Sequence, residues 1–208
     1  MLSYEKILWR QGMNLVAGVD EVGRGPLAGP VVAAAVILPQ DISLDQVTDS
    51  KKLTHLKRAE LFDLISESAL DFAVAQIDQK TIDRFNILNA SLRAMHQAVS
   101  ALKNPPDAVL VDGAYKIPGL RIPQIAVVKG DCLSLSVASA SILAKVIRDK
   151  LMLDYHRKYP HFSFDQNKGY ATKSHIQALK KHGPCEIHRM SFRTLKMLET
   201  KQERIFLA

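Results

Sequence analysis

The sequence predicts an α/β fold: a mixed five-stranded sheet flanked by helices and followed by a helical C-terminal segment. Three observations carry this. Five apolar runs, at residues 15–19, 31–38, 72–77, 108–111 and 125–128, are strand-length and bounded by turn residues. The first three are joined partly by short turns while helical patterns set the later ones apart, which is the pattern of a mixed sheet covered by helices. A helical stretch from Leu133 to about Tyr155 is dense in Ala and Ser before Ile142, and such small residues permit close packing on a sheet.

Taken in order, the first strand runs into Asp20-Glu21 and the loop Gly23-Arg24-Gly25-Pro26, and the second strand follows that loop. Residues 54–69 repeat Leu56, Leu61 and Ile65 at helical spacing after Thr54, a natural N-cap. The third strand precedes a second helix over 86–102, with Ile87, Leu88, Leu92, Met95 and Val99 on its apolar face and Asn104-Pro105-Pro106 as its stop. The fourth strand ends at Asp112-Gly113 and the fifth at Lys129-Gly130-Asp131. Beyond the long helix, Gly169, His182-Gly183-Pro184 and a last helix from about Phe192 read as a short helical cap. Asp20, Asp112 and Asp131 therefore all fall at strand exits, where open α/β sheets favour ligand sites.

The chain carries 28 Lys and Arg against 21 Asp and Glu, a net charge of +7. Residues 145–208 hold 14 basic and 6 acidic side chains, so the excess is concentrated there and residues 1–144 are close to neutral. A near-neutral N-terminal part with local acid clusters suits cation binding, and a basic C-terminal part suits phosphate neutralisation, although a solvated helical surface would look similar. The cysteines, Cys132 and Cys185, have no C-x-x-C partner, which suggests a reducing compartment and a cytoplasmic location. His182-x-x-Cys185-x-x-His188 offers three zinc donors without a fourth nearby and reads as a polar turn. The longest apolar run, 31–38, is too short to span a bilayer, and no membrane association is expected.

Two-metal phosphodiester hydrolysis needs several carboxylates converging on two divalent ions about 4 Å apart. Asp20, Glu21, Asp112 and Asp131 supply such a set. Each has an ordinary alternative: Asp131 as a helix N-cap, Asp112 as a turn aspartate before Gly113, and Glu21 pointing to the other face from Asp20 unless the strand ends or bulges there. Asp149 lies 18 residues beyond Asp131 on one helix, about 27 Å away at 1.5 Å per residue, so an ion pair with Lys145 is expected instead. Gly23-Arg24-Gly25 opens no helix and so is not a dinucleotide fingerprint, but its exposed backbone could read a sugar hydroxyl or a phosphate.

These residues, together with Asp49-Ser50-Lys51-Lys52-Leu53, the Ala140–Asp149 stretch, Lys168-Gly169-Tyr170 and His188-Arg189-Met190-Ser191-Phe192, resemble the bacterial ribonuclease HII family over about residues 14–195. The resemblance implies a ribonuclease-H-like fold, with residues 1–155 as catalytic domain and 156–208 as a basic helical segment packed on it. It implies metal binding and catalysis by Asp20, Glu21, Asp112 and Asp131 with two Mg2+ or Mn2+ ions, Asp20 bridging both. Gly23, Arg24 and Gly25 would sense a ribonucleotide 2′-hydroxyl, and Tyr170 would stack on the neighbouring deoxyribose. Arg24, Lys52, Lys145 and Lys168 are candidate phosphate contacts. The implied substrates are RNA–DNA hybrids and duplex DNA with embedded ribonucleotides, cut on the 5′ side of the ribonucleotide to leave 5′-phosphate and 3′-hydroxyl. The end Gln202-Glu203-Arg204-Ile205-Phe206 is similar to peptides that dock on a sliding clamp, and a monomer is expected. A DNA-specific metal-dependent nuclease using the same acids is the alternative reading, and a non-catalytic hybrid-binding protein would not need the acid cluster.

Overall fold

The computed structural model describes residues 1–44, 46–47 and 53–198. Its centre is a five-stranded sheet of β1 (Val16–Val22), β2 (Val31–Ile37), β3 (Asp71–Ile77), β4 (Ala108–Asp112) and β5 (Gln124–Val127). The strand order is β3-β2-β1-β4-β5. The β1–β2 and β2–β3 pairs are antiparallel, while β1–β4 and β4–β5 are parallel. The mixed sheet expected from the chain order is thus what forms.

Helices cover both faces, which is why β2 can be apolar at every position and buried throughout. On one face Ala17, Val19, Ala33, Ala35, Val109 and Val111 pack against Ile82, Ala90, Ala94 and Met95 of α3 (Gln79–Ser100). On the other, Val32, Ala34 and Val36 meet Leu61 and Ile65 of α2 (His55–Ser68) and Ala138, Ile142 and Leu143 of α5 (Leu135–Lys158). Gly18 makes the closest approach: a Cβ there would overlap the backbone of Ser136 and Val137.

Thr54 caps α2 as expected, accepting from Lys57 N at 3.2 Å. Other boundaries differ from the sequence reading. A helix α1 (Ser3–Arg10) precedes β1, with Glu5 fully buried and accepting Ser134 Oγ at 2.6 Å and Ser136 N at 3.0 Å. Helix α3 begins at Gln79, capped by Asp78, and is broken at Asn86, whose φ of 65° and ψ of 166° are not helical. Asn86 Oδ1 accepts Asn89 N at 3.0 Å, so the helix expected from residue 86 is the second of two merged segments with its own cap.

After β5 come a short helix α4 (Gly130–Leu133), then α5, a 3-10 turn (Pro160–Phe162), α6 (Phe164–Asn167) and α7 (Lys173–His182). Residues 193–198 are again helical. Phe162, Phe164, Leu179, Ile187 and Leu195 close over Met152 of α5 and over Leu27 and Ala28 of the β1–β2 connection. Among the described residues, no helix is long and apolar enough to cross a membrane.

Candidate active site

The acidic site is built at the carboxyl ends of β1 and β4. Their parallel register pairs Val19 with Val111 as the last partners, which puts Asp20 beside Asp112 where the ladder stops. Gly18 and Leu110 face α5, and Asp20 and Asp112 follow two residues on, on that same face. Burial pushes the Asp20 carboxyl well above its ordinary value, and the charges of Glu21 and Asp112 push it further. Asp20 Oδ1 accepts the Glu21 N–H at 2.7 Å.

Glu21 starts from the opposite face, as the alternation of a strand requires, and β1 neither ends nor bulges there, since Glu21 pairs regularly with Ala33 and Val22 with Val32. Its side chain still feels Asp112. Burial raises it to about 7 despite the opposing charge of Arg24, and Asp112 adds to the rise. Arg24 Nη1 lies 3.3 Å from Glu21 Oε1. Asp112 Oδ1 accepts Gly130 N at 2.7 Å, tying the end of β4 to the residue before Asp131. Asp131 is buried, and it is not a helix cap: Lys129 precedes α4 in the left-handed region, and Ser134 caps α5 by accepting from Val137 N at 3.2 Å. Among the described residues, no group of three or more His, Cys, Asp or Glu side chains stands in an arrangement that would hold a metal ion as it is. What the fold provides is Asp20 and Glu21, largely buried and within electrostatic reach of Asp112, with Arg24 as the countercharge on Glu21.

The Gly23-Arg24-Gly25 loop follows β1 directly, with Gly23 at φ +98°. A Cβ at Gly25 would stand 3.4 Å from Tyr170 Cε1, so the loop and the half-exposed Tyr170 ring form one surface. Beneath it lie two buried arginines that the sequence reading did not single out. Arg148 donates to Pro30 O, Lys168 O and Ala28 O at 3.0, 3.1 and 3.2 Å. Arg189 donates from Nε and Nη2 to Gly29 O, from Nη1 to Arg24 O, and from Nη2 to Gly23 O. Burial lowers them to about 10 and about 9, which leaves both charged at neutral pH. The helical spacing holds one signal for Arg148, since Ala144 and Met152, four residues to either side, are core residues.

The candidate phosphate contacts fare differently. Lys145 Nζ is 2.8 Å from Asp149 Oδ1, the ion pair expected from the sequence. Lys168 Nζ donates to Asp165 O at 2.6 Å, and burial lowers its amine. Lys52 and residues 202–206 lie outside the described residues. The three zinc donors do not converge: His182 stacks on His161, while the buried His188 contacts Cys185 and His175. Neither cysteine is in a disulfide.

Comparison with known proteins bears on the family and the fold. Residues 17–195 match the family model described as Ribonuclease HII. The ribonuclease HII of Geotalea uraniireducens is 54% identical over 203 residues, covering 98% of this chain and 94% of that protein. The ribonuclease H2 crystal structure from Pyrococcus horikoshii superposes with a TM-score of 0.76 at 28% identity, covering 91% of this chain and 99% of that one. The structure of the PCNA:RNase HII complex from Archaeoglobus fulgidus gives a TM-score of 0.72 at 26% identity over 86% of this chain and 95% of that one.

Proposed function

Since the chain belongs to the ribonuclease HII family, we propose that it is a divalent-metal endoribonuclease that cuts RNA–DNA hybrids and duplex DNA at embedded ribonucleotides, using Asp20, Glu21, Asp112 and Asp131. The observation that carries the reading is the burial of Asp20 and Glu21 beside Asp112, next to a glycine loop packed on Tyr170. Adjacent buried carboxylates with raised protonation constants are costly unless cations offset them, and hard oxygen donors suit Mg2+ or Mn2+. When bound, two such ions supply Lewis-acid activation of water and of the phosphate. The protein's own part is to hold the acids at the sheet end and to keep the scissile phosphate in line between the attacking water and the departing 3′ oxygen. Cleavage then leaves 5′-phosphate and 3′-hydroxyl, with the 2′-hydroxyl recognised by Gly23, Arg24 and Gly25 rather than used as the nucleophile.

Tyr170 supplies a flat face for a sugar. Arg24, Lys145 and Lys168 are the proposed phosphate contacts, each holding one partner in the free protein and having further N–H donors to offer. The basic 156–208 segment is taken as a second part, and the cluster its described residues share around Met152 supports packing on the catalytic domain. A sliding-clamp contact through Gln202–Phe206 is supported by the Archaeoglobus protein having been solved with PCNA. A reducing cytoplasm fits two cysteines that form no disulfide.

The test is cleavage of a duplex containing one ribonucleotide, in Mg2+ and in Mn2+, against an all-DNA twin. The expected result is a single cut 5′ of the ribonucleotide and none in the control. Asp20→Asn should reduce turnover by at least ~10³-fold while hybrid binding persists, because the carboxylate is needed for the reaction and not for the phosphate contacts. Equal cutting of the all-DNA twin would favour the DNA nuclease reading, and retained turnover in Asp20→Asn would remove the metal assignment.

A further inference from the structure

We propose that Arg189, seconded by Arg148, is the positioning residue that gives this protein its selectivity for ribonucleotides: its guanidinium fixes the Gly23-Arg24-Gly25 loop from below in the one orientation that presents backbone donors to the substrate. The inference rests on the loop reading just given and extends it to two side chains that touch no substrate.

Both arginines are 0% exposed, and among the described residues neither has a carboxylate bound to its guanidinium in the way a buried cation ordinarily would. Their partners are carbonyl oxygens. Arg189 grips both ends of the loop, with Gly23 O at 2.6 Å and Arg24 O at 3.0 Å on one side and Gly29 O at 2.8 and 2.9 Å on the other. Arg148 takes the next carbonyls, Ala28 and Pro30, and reaches across to Lys168 O, two residues before Tyr170. Planar forks with five donors suit such a task, and a lysine cannot reproduce it.

The orientation follows from the peptide unit. In a trans peptide the carbonyl of one residue and the N–H of the next point in opposite directions. Holding Gly23 O and Arg24 O inward on a buried guanidinium turns the N–H groups of Arg24 and Gly25 outward, and both residues are exposed. Gly23 is required for a second reason. A Cβ there would collide with Arg148 Nε, so the glycine lets the second guanidinium pass directly under the loop. Two cations buried just behind these peptides also bias the surface toward anionic ligands.

The rest of the scaffold is aligned with this. Leu27 N donates to Gly169 O, Gly29 N to Ile187 O and Arg189 N to Leu27 O, stitching residues 27–29 to both C-terminal loops. Asp83 on α3 accepts Met190 N, Ser191 N and Ser191 Oγ, anchoring the stretch that carries Arg189.

The test measures dissociation constants of full-length protein, in EDTA to prevent turnover, for a duplex with one ribonucleotide and for its all-DNA twin. Loss of folded protein changes both constants by one factor and leaves their ratio alone, so a merely structural role cannot move it. Wild type should prefer the ribonucleotide duplex. Arg189→Lys should lower that preference by about tenfold, the effect of roughly one lost charged hydrogen-bond set, while affinity for the all-DNA duplex stays within about twofold. Ser191→Ala leaves both guanidiniums in place and removes only the Ser191 Oγ tether, so a smaller fall in the same direction is expected. An unchanged ratio in folded Arg189→Lys, or in Ser191→Ala should the lysine variant not fold, overturns the proposal. A wild type without preference would instead remove the loop reading on which it rests.

Discussion

At Gly18 the distance between α5 and the sheet is set by the absence of a methyl group. The strand is regular there, so no unusual backbone angle demands glycine; the demand comes from Ser136 and Val137 pressing on the strand. Gly18→Ala should therefore destabilise the fold by about 2–3 kcal/mol, the range of an overpacked core, as read by urea denaturation. The acids at positions 20 and 112 were legible because each follows an apolar run directly, a place where a charge stands out, and Asp131 because it follows one within three residues. Glu5, Asp83, Arg148 and Arg189 were not. Most of their partners lie more than 100 residues away, so, apart from the core spacing of Ala144 and Met152 around Arg148, little in the local pattern separates them from solvated surface charges.

Helix α3 shows what local signals can and cannot define in an element. Asn86 was legible as a helix start because an Asn before an apolar periodic stretch is a natural cap, and it does cap Asn89. The preceding turn from Gln79 was missed, because its apolar content is too sparse to show a period and its helicity is secured by Asp78 and by packing of Ile82 into the core. Asn86→Ala removes the cap and puts a Cβ without a compensating hydrogen bond at φ 65°. A loss of about 1–2 kcal/mol in thermal or urea unfolding is expected, without change of fold. Helix α5 behaves differently. Its small N-terminal half was read correctly as a sheet-packing surface, and its burial there is near complete.

Across the whole molecule, the C-terminal segment is tied together internally by a histidine pair that cannot easily accept a proton. His175 Nδ1 faces Tyr170 O at 2.8 Å and must donate to it, so its Nε2 is the acceptor for His188 Nε2–H at 3.0 Å. His188 Nδ1 then accepts Cys185 N at 2.9 Å, with Phe162 and Phe164 packed on the rings. Burial holds His188 down to about 4, and the charge of His175 adds to the depression. The unfolded chain takes up a proton near pH 6.5 that the folded protein refuses until about pH 4, so stability is complete above roughly pH 7 and falls between those values. The drop should be about 3 kcal/mol, and His188→Gln should flatten that part of a stability-against-pH curve relative to wild type.

By itself the sequence determined the class of fold, the five strands and the strand-exit acids, because periodicity, capping and apolar run length act over a few residues and are written where they act. Only the tertiary structure decided that Asp112 would meet Asp20, that Glu21 would do so from a regular strand, and that two arginines would sit under the glycine loop. Those outcomes depend on β4 entering parallel to β1 and on the C-terminal segment folding back over residues 27–29, and the free energy of burying a charge is fixed only once its distant partners are in place.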